Sequence, residues 1–141
     1  MKATTLLFLS LTALLPACNY ESFEDRCARE AREYTEKQCP RRMDPFTTMD
    51  SIVYHHNTRT VSYYYTLEGL MDTNLSFKEK LKNELTSLLI KNVTNSTDLK
   101  PHKESKMNFD YKYFSQTTGE LLLDVLVTPE MYEAKVASHP E

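Results

Sequence analysis

The sequence contains only two glycines, Gly69 and Gly119, and they lie far apart. A phosphate-binding loop needs several closely spaced glycines, because its backbone amides must surround the phosphate groups. The chain also lacks a Gly-x-Ser-x-Gly motif, which positions the nucleophilic serine of α/β-hydrolases. These absences exclude nucleotide-loop enzymes and that class of hydrolase. Because the carboxylates are scattered and no acid pair stands out, we expect that the protein is not an enzyme.

Metal ligands and basic surface are also scarce. The cysteines and the four histidines form no Cys-x-x-Cys or His-x3-His pair, which are the spacings of zinc sites. His55 and His56 are adjacent on a predicted strand, so their side chains would point to opposite faces. The net charge is −3, which is not the basic footprint of a nucleic-acid binder. We therefore predict no metal, no cofactor and no nucleic-acid partner.

An apolar segment near the N-terminus precedes Cys18. It is shorter than the roughly 20 residues that span a bilayer, and with Lys2 ahead of it the segment is typical of a secretory signal. An ordinary cleavage site needs small residues at both −3 and −1. Leu15 stands at −3 and Ala17 at −1, so the segment instead resembles the lipobox of bacterial lipoproteins, with Cys18 as the first mature residue.

The lipobox resemblance implies a lipid anchor on Cys18. In that class the thiol takes a diacylglycerol and the freed amine takes a further acyl chain, and two or more chains anchor a protein stably. We therefore expect a signal peptide over residues 1–17, a lipidated tether over 18–21, one α+β domain over 22–128 and a C-terminal tail over 129–141. Asn19 favours the outer membrane, and the membrane side is left open.

Two cysteines remain once Cys18 is lipidated. Pro40 predicts that the first helix ends by Cys39. If the helix is continuous from Cys27 to Cys39, the two residues are about 18 Å apart, at a rise of 1.5 Å per residue. A disulfide needs Cα atoms within about 7 Å. A continuous helix therefore forbids the bridge, and a break in the helix would allow it.

Apolar periodicity predicts two helices and four strands. Both helices begin at a serine followed three residues later by an acid, which is a capping box. Their apolar stripes have the same spacing at the start: Phe23, Cys27, Ala31 and Tyr34 in the first, and Phe77, Leu81, Leu85, Leu88 and Leu89 in the second. Alternating residues predict strands over about 49–56, 59–67, 107–113 and 121–127, with loops over 40–48 and 92–106 and a short helix over 130–136.

The simplest closure of this α-β-β-α-β-β order is a four-stranded antiparallel sheet with both helices packed on one face. The other face would then carry Tyr64, Phe114, Leu122 and Leu126 among polar residues. An exposed apolar patch often marks a partner contact. The alternatives are isolated surface side chains, or a patch that the tail around Met131 and Tyr132 covers.

The region from Ala28 to Thr66 is similar to a family of small lipoproteins of Gram-negative bacteria whose function is unknown. The residues that carry the resemblance are Glu36-Lys37-Gln38-Cys39-Pro40-Arg41-Arg42, Met49-Asp50-Ser51-Ile52-Val53-Tyr54 and Tyr63-Tyr64-Tyr65. The resemblance implies a cell-envelope location and no particular activity. We expect a lipid-anchored binding or assembly module that contacts the membrane through Cys18 and binds an envelope protein. The alternative is an inhibitor or immunity-type protein that blocks an envelope enzyme.

Overall fold

The computed structural model of the protein describes residues 20–69 and 75–134, and of residues 75–79 it describes the backbone alone. Four helices and five strands occupy these ranges. In chain order they are α1 (Phe23–Gln38), β1 (Arg41–Asp44), β2 (Thr47–His55), β3 (Thr60–Leu67), α2 (Leu75–Asn95), α3 (Lys100–Glu104), β4 (Asn108–Ser115), β5 (Leu121–Val127) and α4 (Pro129–Ala134).

Helix α1 begins and ends where its sequence predicts. The Ser22 hydroxyl accepts a hydrogen bond from the Asp25 amide at 3.0 Å, which satisfies one of the free donors of the first turn. The helix ends at Gln38, since a residue that precedes a proline disfavours helical geometry. The helix is continuous between Cys27 and Cys39, and both are free thiols.

The sheet differs from the predicted one in two respects. It has five strands in the order β1-β2-β3-β4-β5, and β3 and β4 are parallel, whereas every other pair is antiparallel. The additional strand β1 lies in the segment 40–48, which was predicted as a loop. The parallel pair arises because α2 lies in the connection between β3 and β4. A connection that contains a helix is long enough to return the chain to the starting end of the sheet.

Both long helices pack on one face of the sheet, as predicted. Alternate strand residues and the helix stripes form a single core, which includes Cys27, Ala31, Val61, Leu67, Leu89, Val93, Phe109, Tyr111, Tyr113, Leu123, Val125 and Val127. The α+β class is therefore confirmed. Leu88 departs from its predicted place in the α2 stripe, because it is 52% exposed. The buried residues continue instead from Leu89 to Val93, one turn further along the helix.

The segment 92–106 is partly helical, whereas a loop was predicted over its whole length. Helix α2 continues to Asn95, and α3 follows over Lys100–Glu104 with Pro101 in its first turn, where a proline is tolerated. The ring of His102 lies 5.4 Å from Phe23 and 6.4 Å from Phe109, measured between ring centroids. These contacts join α3 to α1 and to the first residues of β4.

Helix α4 follows β5 near the short helix predicted over 130–136. Tyr132 is buried, its hydroxyl donates to the Met107 carbonyl at 3.1 Å, and its ring lies 6.0 Å from Phe109. Residues 129–134 therefore pack on the domain, whereas a tail was predicted from residue 129. None of the described helices is both long and apolar enough to cross a bilayer.

Several predictions fall outside the described residues. They are the signal peptide over 1–17, the lipidated Cys18 with Asn19, the side chains of Ser76 and Phe77, and the tail beyond residue 134. The backbone of α2 begins at Leu75, one residue before the serine that was predicted to cap the helix.

Candidate partner-binding face

The sheet face opposite the core, which we name the open face, is not covered by any helix within residues 20–69 and 75–134. Each described helix instead contacts the core: α1 through Cys27, α2 through Val93, α3 through the His102 ring against Phe109, and α4 through Tyr132. Because Tyr132 is buried on the core side, the helix that contains it does not cover the predicted patch.

Apolar side chains lie at two places on the open face. Tyr64 on β3 and Phe114 on β4 stack with ring centroids 6.3 Å apart and planes at 15°. Leu126 on β5 is 47% exposed, as expected for a side chain on an uncovered face. Tyr64, Phe114 and Leu126 therefore occupy the positions that strand alternation predicts.

Leu122 does not lie on the open face, and its place is taken by Leu121. The register between β4 and β5 shifts after the Tyr113–Leu123 pair, so Phe114 pairs with Leu121 and Leu122 is the extra residue of a bulge. Residues directly opposite in a ladder share a face. Leu121 consequently joins Phe114 on the open face and is 47% exposed, whereas Leu122 packs against the core.

A charged cluster lies in the centre of the open face. The Lys112 ammonium is 3.1 Å from an Asp110 carboxylate oxygen and 2.9 Å from an Asp124 carboxylate oxygen. The buried Ser62 hydroxyl donates to Asp110 at 3.2 Å. Strand pairing brings these groups together, because Ser62 pairs with Asp110 across β3 and β4, and Lys112 pairs with Asp124 across β4 and β5.

The two carboxyl groups of the cluster differ in their surroundings. Burial raises the pKa of Asp110 above its usual value, and the hydrogen bond from Lys112 offsets this only in part. Burial is the largest single influence on Asp124 and would raise its pKa, but the hydrogen bonds with Lys112 and Asp110 and the charges of Lys112 and Lys82 together outweigh burial, so the pKa is lowered. Asp124 is also the more exposed side chain, at 45% against 12% for Asp110. Asp124 is therefore the accessible anion of the pair.

The sequence prediction missed three contributors to this face: Leu121, Val53 and the charged cluster. Val53 on β2 pairs with Ser62 and is 39% exposed. The available signal was the alternation of Asp110, Lys112 and Asp124 with buried residues. That alternation places all three on one face once β4 and β5 are paired.

The open face combines exposed leucines at its β5 side, stacked rings in its interior and one cationic side chain between two carboxylates. In the described ranges, no group of three or more His, Cys, Asp or Glu side chains could hold a metal ion. Exposed apolar side chains grouped on one surface often mark a contact with another macromolecule.

The chain belongs to the family defined by a domain of unknown function, DUF8479, whose model matches residues 22–123. This span contains α1, α2, α3 and strands β1 to β4, and it ends at Leu123 within β5. Among curated proteins, none matches this sequence.

A solved structure has the same fold. It is the crystal structure of a "putative secreted protein" (PA3611) from Pseudomonas aeruginosa, with a TM-score of 0.59 and 11% sequence identity. The similarity covers 79% of this chain and 97% of the other. At this identity the comparison establishes the fold alone.

Proposed function

We propose that the protein is a lipid-anchored component of the bacterial cell envelope and acts as a non-enzymatic binding or assembly module. The observation that carries the proposal is the open face, where Leu121, Leu126 and Val53 are exposed on a sheet that is packed on its other side. A surface of this kind is stabilised when a partner removes the leucines from water, at about 25 cal/mol for each Å² of apolar surface buried.

The envelope location rests on two supports. The first is the lipobox resemblance at Leu15, Ala17 and Cys18. The second is the similarity in fold to a protein described as secreted, which favours a location outside the cytoplasm. In this arrangement the acylated Cys18 holds the protein at the outer membrane, and the short segment up to Ser22 connects the anchor to α1.

The binding role is tested by site-specific photocrosslinking in living cells. A photoreactive phenylalanine analogue at position 126 is expected to crosslink to an envelope protein, whereas the same residue at Glu104, which is exposed on α3, is not. Equal crosslinking from both positions, or none from position 126, would contradict binding through the open face. A lytic enzyme as the crosslinked product would identify the module as an inhibitor.

The anchor is tested separately by growth with a clickable fatty acid. The wild-type chain is expected to incorporate the label and Cys18→Ser to remain unlabelled. Intact mass of the mature wild-type chain is expected to show cleavage before Cys18 and the added acyl chains. An unmodified cysteine, or a leader that is still attached, would refute the lipid anchor and leave the binding role to be judged by crosslinking.

A further inference from the structure

We infer that the free edge of β5 receives an extended strand from a partner protein, and that this strand places a basic side chain opposite Asp124. The inference rests on the proposed binding role and specifies how the partner docks. Strand β5 is the last strand of the sheet, and in the described part of the chain no strand pairs with its outer edge. An unpaired edge offers a row of backbone donors and acceptors to another chain.

The outward backbone groups of β5 belong to Asp124 and Leu126. The amide of Asn108, at the start of β4, donates to the Arg59 carbonyl, and the amide of Gln116, just after β4, donates to the Leu67 carbonyl. The backbone groups of even-numbered β4 residues therefore point toward β3, and those of odd-numbered residues point toward β5. Tyr111 pairs with Val125, so the odd-numbered residues of β5 bond inward to β4. The amides and carbonyls of Asp124 and Leu126 therefore point away from the sheet.

The opposite edge of the sheet is protected and β5 is not. Strand β1 has only four residues, its register with β2 is interrupted by a bulge, and three of its side chains, Arg41, Arg42 and Asp44, are charged. Short length, bulges and charges are the features that prevent pairing at an edge. Strand β5 has seven residues and one charged side chain, Asp124.

The charge on the open face indicates the chemistry of the incoming strand. Asp110 and Asp124 both form an ion pair with Lys112, while Lys82 acts on Asp124 only through its more distant charge. Asp124 is the accessible carboxylate next to the edge. A lysine or arginine opposite Asp124 would supply the second cation. The residue two positions away would lie opposite Leu126 and would be apolar, because cross-strand neighbours on one face interact directly.

A second copy of this chain does not meet these requirements. Antiparallel pairing of two β5 strands about Asp124 would place two carboxylates opposite each other, which is unfavourable. If Val125 of one copy lies opposite Val125 of the other, Asp124 of each strand lies opposite Leu126 of its partner strand. Neither register supplies a cation. The β1 edge of a second copy carries Arg41 and Arg42, but it is short and interrupted by a bulge, so we infer that the incoming strand belongs to a different protein.

The test uses a synthetic peptide as the probe, Thr-Thr-Val-Thr-Lys-Thr-Val-Thr-Thr with blocked ends, and a matched peptide with glutamate in place of the lysine. The full chain in detergent micelles is titrated with each peptide, and hydrogen exchange of individual amides is followed by NMR. With nine-tenths of the protein bound, exchange at the Asp124 and Leu126 amides is expected to slow by roughly tenfold. The glutamate peptide is expected to bind about fivefold more weakly.

Two variants at one position separate the backbone from the side chain. Leu126→Pro removes the outward donor and is expected to abolish protection, since a proline on an edge strand leaves the inner ladder intact. Leu126→Thr removes the leucine but keeps the donor, and binding is expected to persist. If Leu126→Pro fails to fold, the comparison of the lysine and glutamate peptides still decides the inference.

Three results would overturn the inference: no binding of the lysine peptide, equal affinity for both peptides, or binding without protection of the Asp124 and Leu126 amides. Concentration-dependent dimers that Leu126→Pro dissociates would identify a second copy as the occupant instead. If the peptide fails but the photoreactive residue at position 126 still crosslinks to an envelope protein, the docking mode is wrong and the proposed binding role stands.

Discussion

Thr35 on α1 is hydrogen-bonded twice to the backbone of Ile52 on β2. Its hydroxyl donates to the Ile52 carbonyl at 3.0 Å and accepts from the Ile52 amide at 2.8 Å. The register of β1 with β2 ends at Met49, so Ile52 lies beyond the part of β2 that β1 covers. A helix side chain thus satisfies backbone groups that would otherwise lie at an unpaired edge.

Replacing Thr35 by valine tests this contact. Thr35→Val keeps the shape of the side chain but leaves a donor and an acceptor of Ile52 without their partner. We expect the free energy of unfolding to fall by about 1–3 kcal/mol, as measured by urea denaturation. Thr35→Ser keeps the hydroxyl and is expected to lose less than about 1 kcal/mol. An equal loss in both variants would show that the methyl group, rather than the hydrogen bonds, stabilises the contact.

The bulge in β5 is tested by a matched pair of serine substitutions. Leu122→Ser removes a side chain that packs against the core and is expected to lower the free energy of unfolding by about 1–2 kcal/mol. Leu126→Ser changes an exposed side chain and is expected to remain within about 0.5 kcal/mol of the wild type. The reverse order in urea denaturation would show that the register of β5 is shifted by one residue.

His102 is expected to make stability depend on pH. Burial lowers the pKa of its imidazole, while Glu30 on α1 opposes this effect and Arg26 on α1 adds to it. The Nδ1 atom is buried and has no hydrogen-bond partner among the described residues. The neutral ring therefore suits the folded state, and its stabilising contribution is present above the unfolded pKa of about 6.5 and is lost as the pH falls through the folded pKa.

The measurement is urea denaturation from pH 7.5 to pH 5 for the wild type and His102→Phe. Phenylalanine keeps an aromatic ring at this position and cannot be protonated, so the variant should lack the acid-side loss of stability. An identical pH dependence in both proteins would show that His102 is already solvated when the protein is folded.

The two carboxyl groups of the open face are expected to respond to pH with opposite signs. The raised pKa of Asp110 means that its contribution is fully present below the unfolded pKa of about 3.9 and is lost as the pH rises through the folded pKa. The lowered pKa of Asp124 means that its contribution is present above about 3.9 and is lost as the pH falls.

Asparagine substitutions separate these two effects. As the pH rises from 3 to 7, the stability of Asp110→Asn should improve relative to the wild type, whereas that of Asp124→Asn should decline. Thermal unfolding at several pH values gives both slopes. Slopes of the same sign would contradict a raised pKa for Asp110 together with a lowered pKa for Asp124.

Local sequence rules predicted the parts of the fold that depend on neighbouring residues. The Ser22 cap, the helix end before Pro40 and the alternation in β3 all have local causes. The parallel pairing of β3 with β4 was not predictable in this way, because either orientation buries Tyr63 and Tyr111 on the same face. The sequence also could not predict which face of the sheet Leu122 lies on, since Leu121, Leu122 and Leu123 are chemically identical. Only the pairing of Leu121 with Phe114 reveals the bulge.

The most direct test of the central claim compares the accessibility of the open face in membranes and in the purified protein. In a Cys39→Ser background, Leu126→Cys and a control, Lys80→Cys on α2, are labelled with a maleimide. We expect position 126 to react in the purified protein and to be protected in native membranes, while position 80 reacts in both. Equal reactivity of position 126 in the two preparations would contradict the claim that a partner occupies the open face.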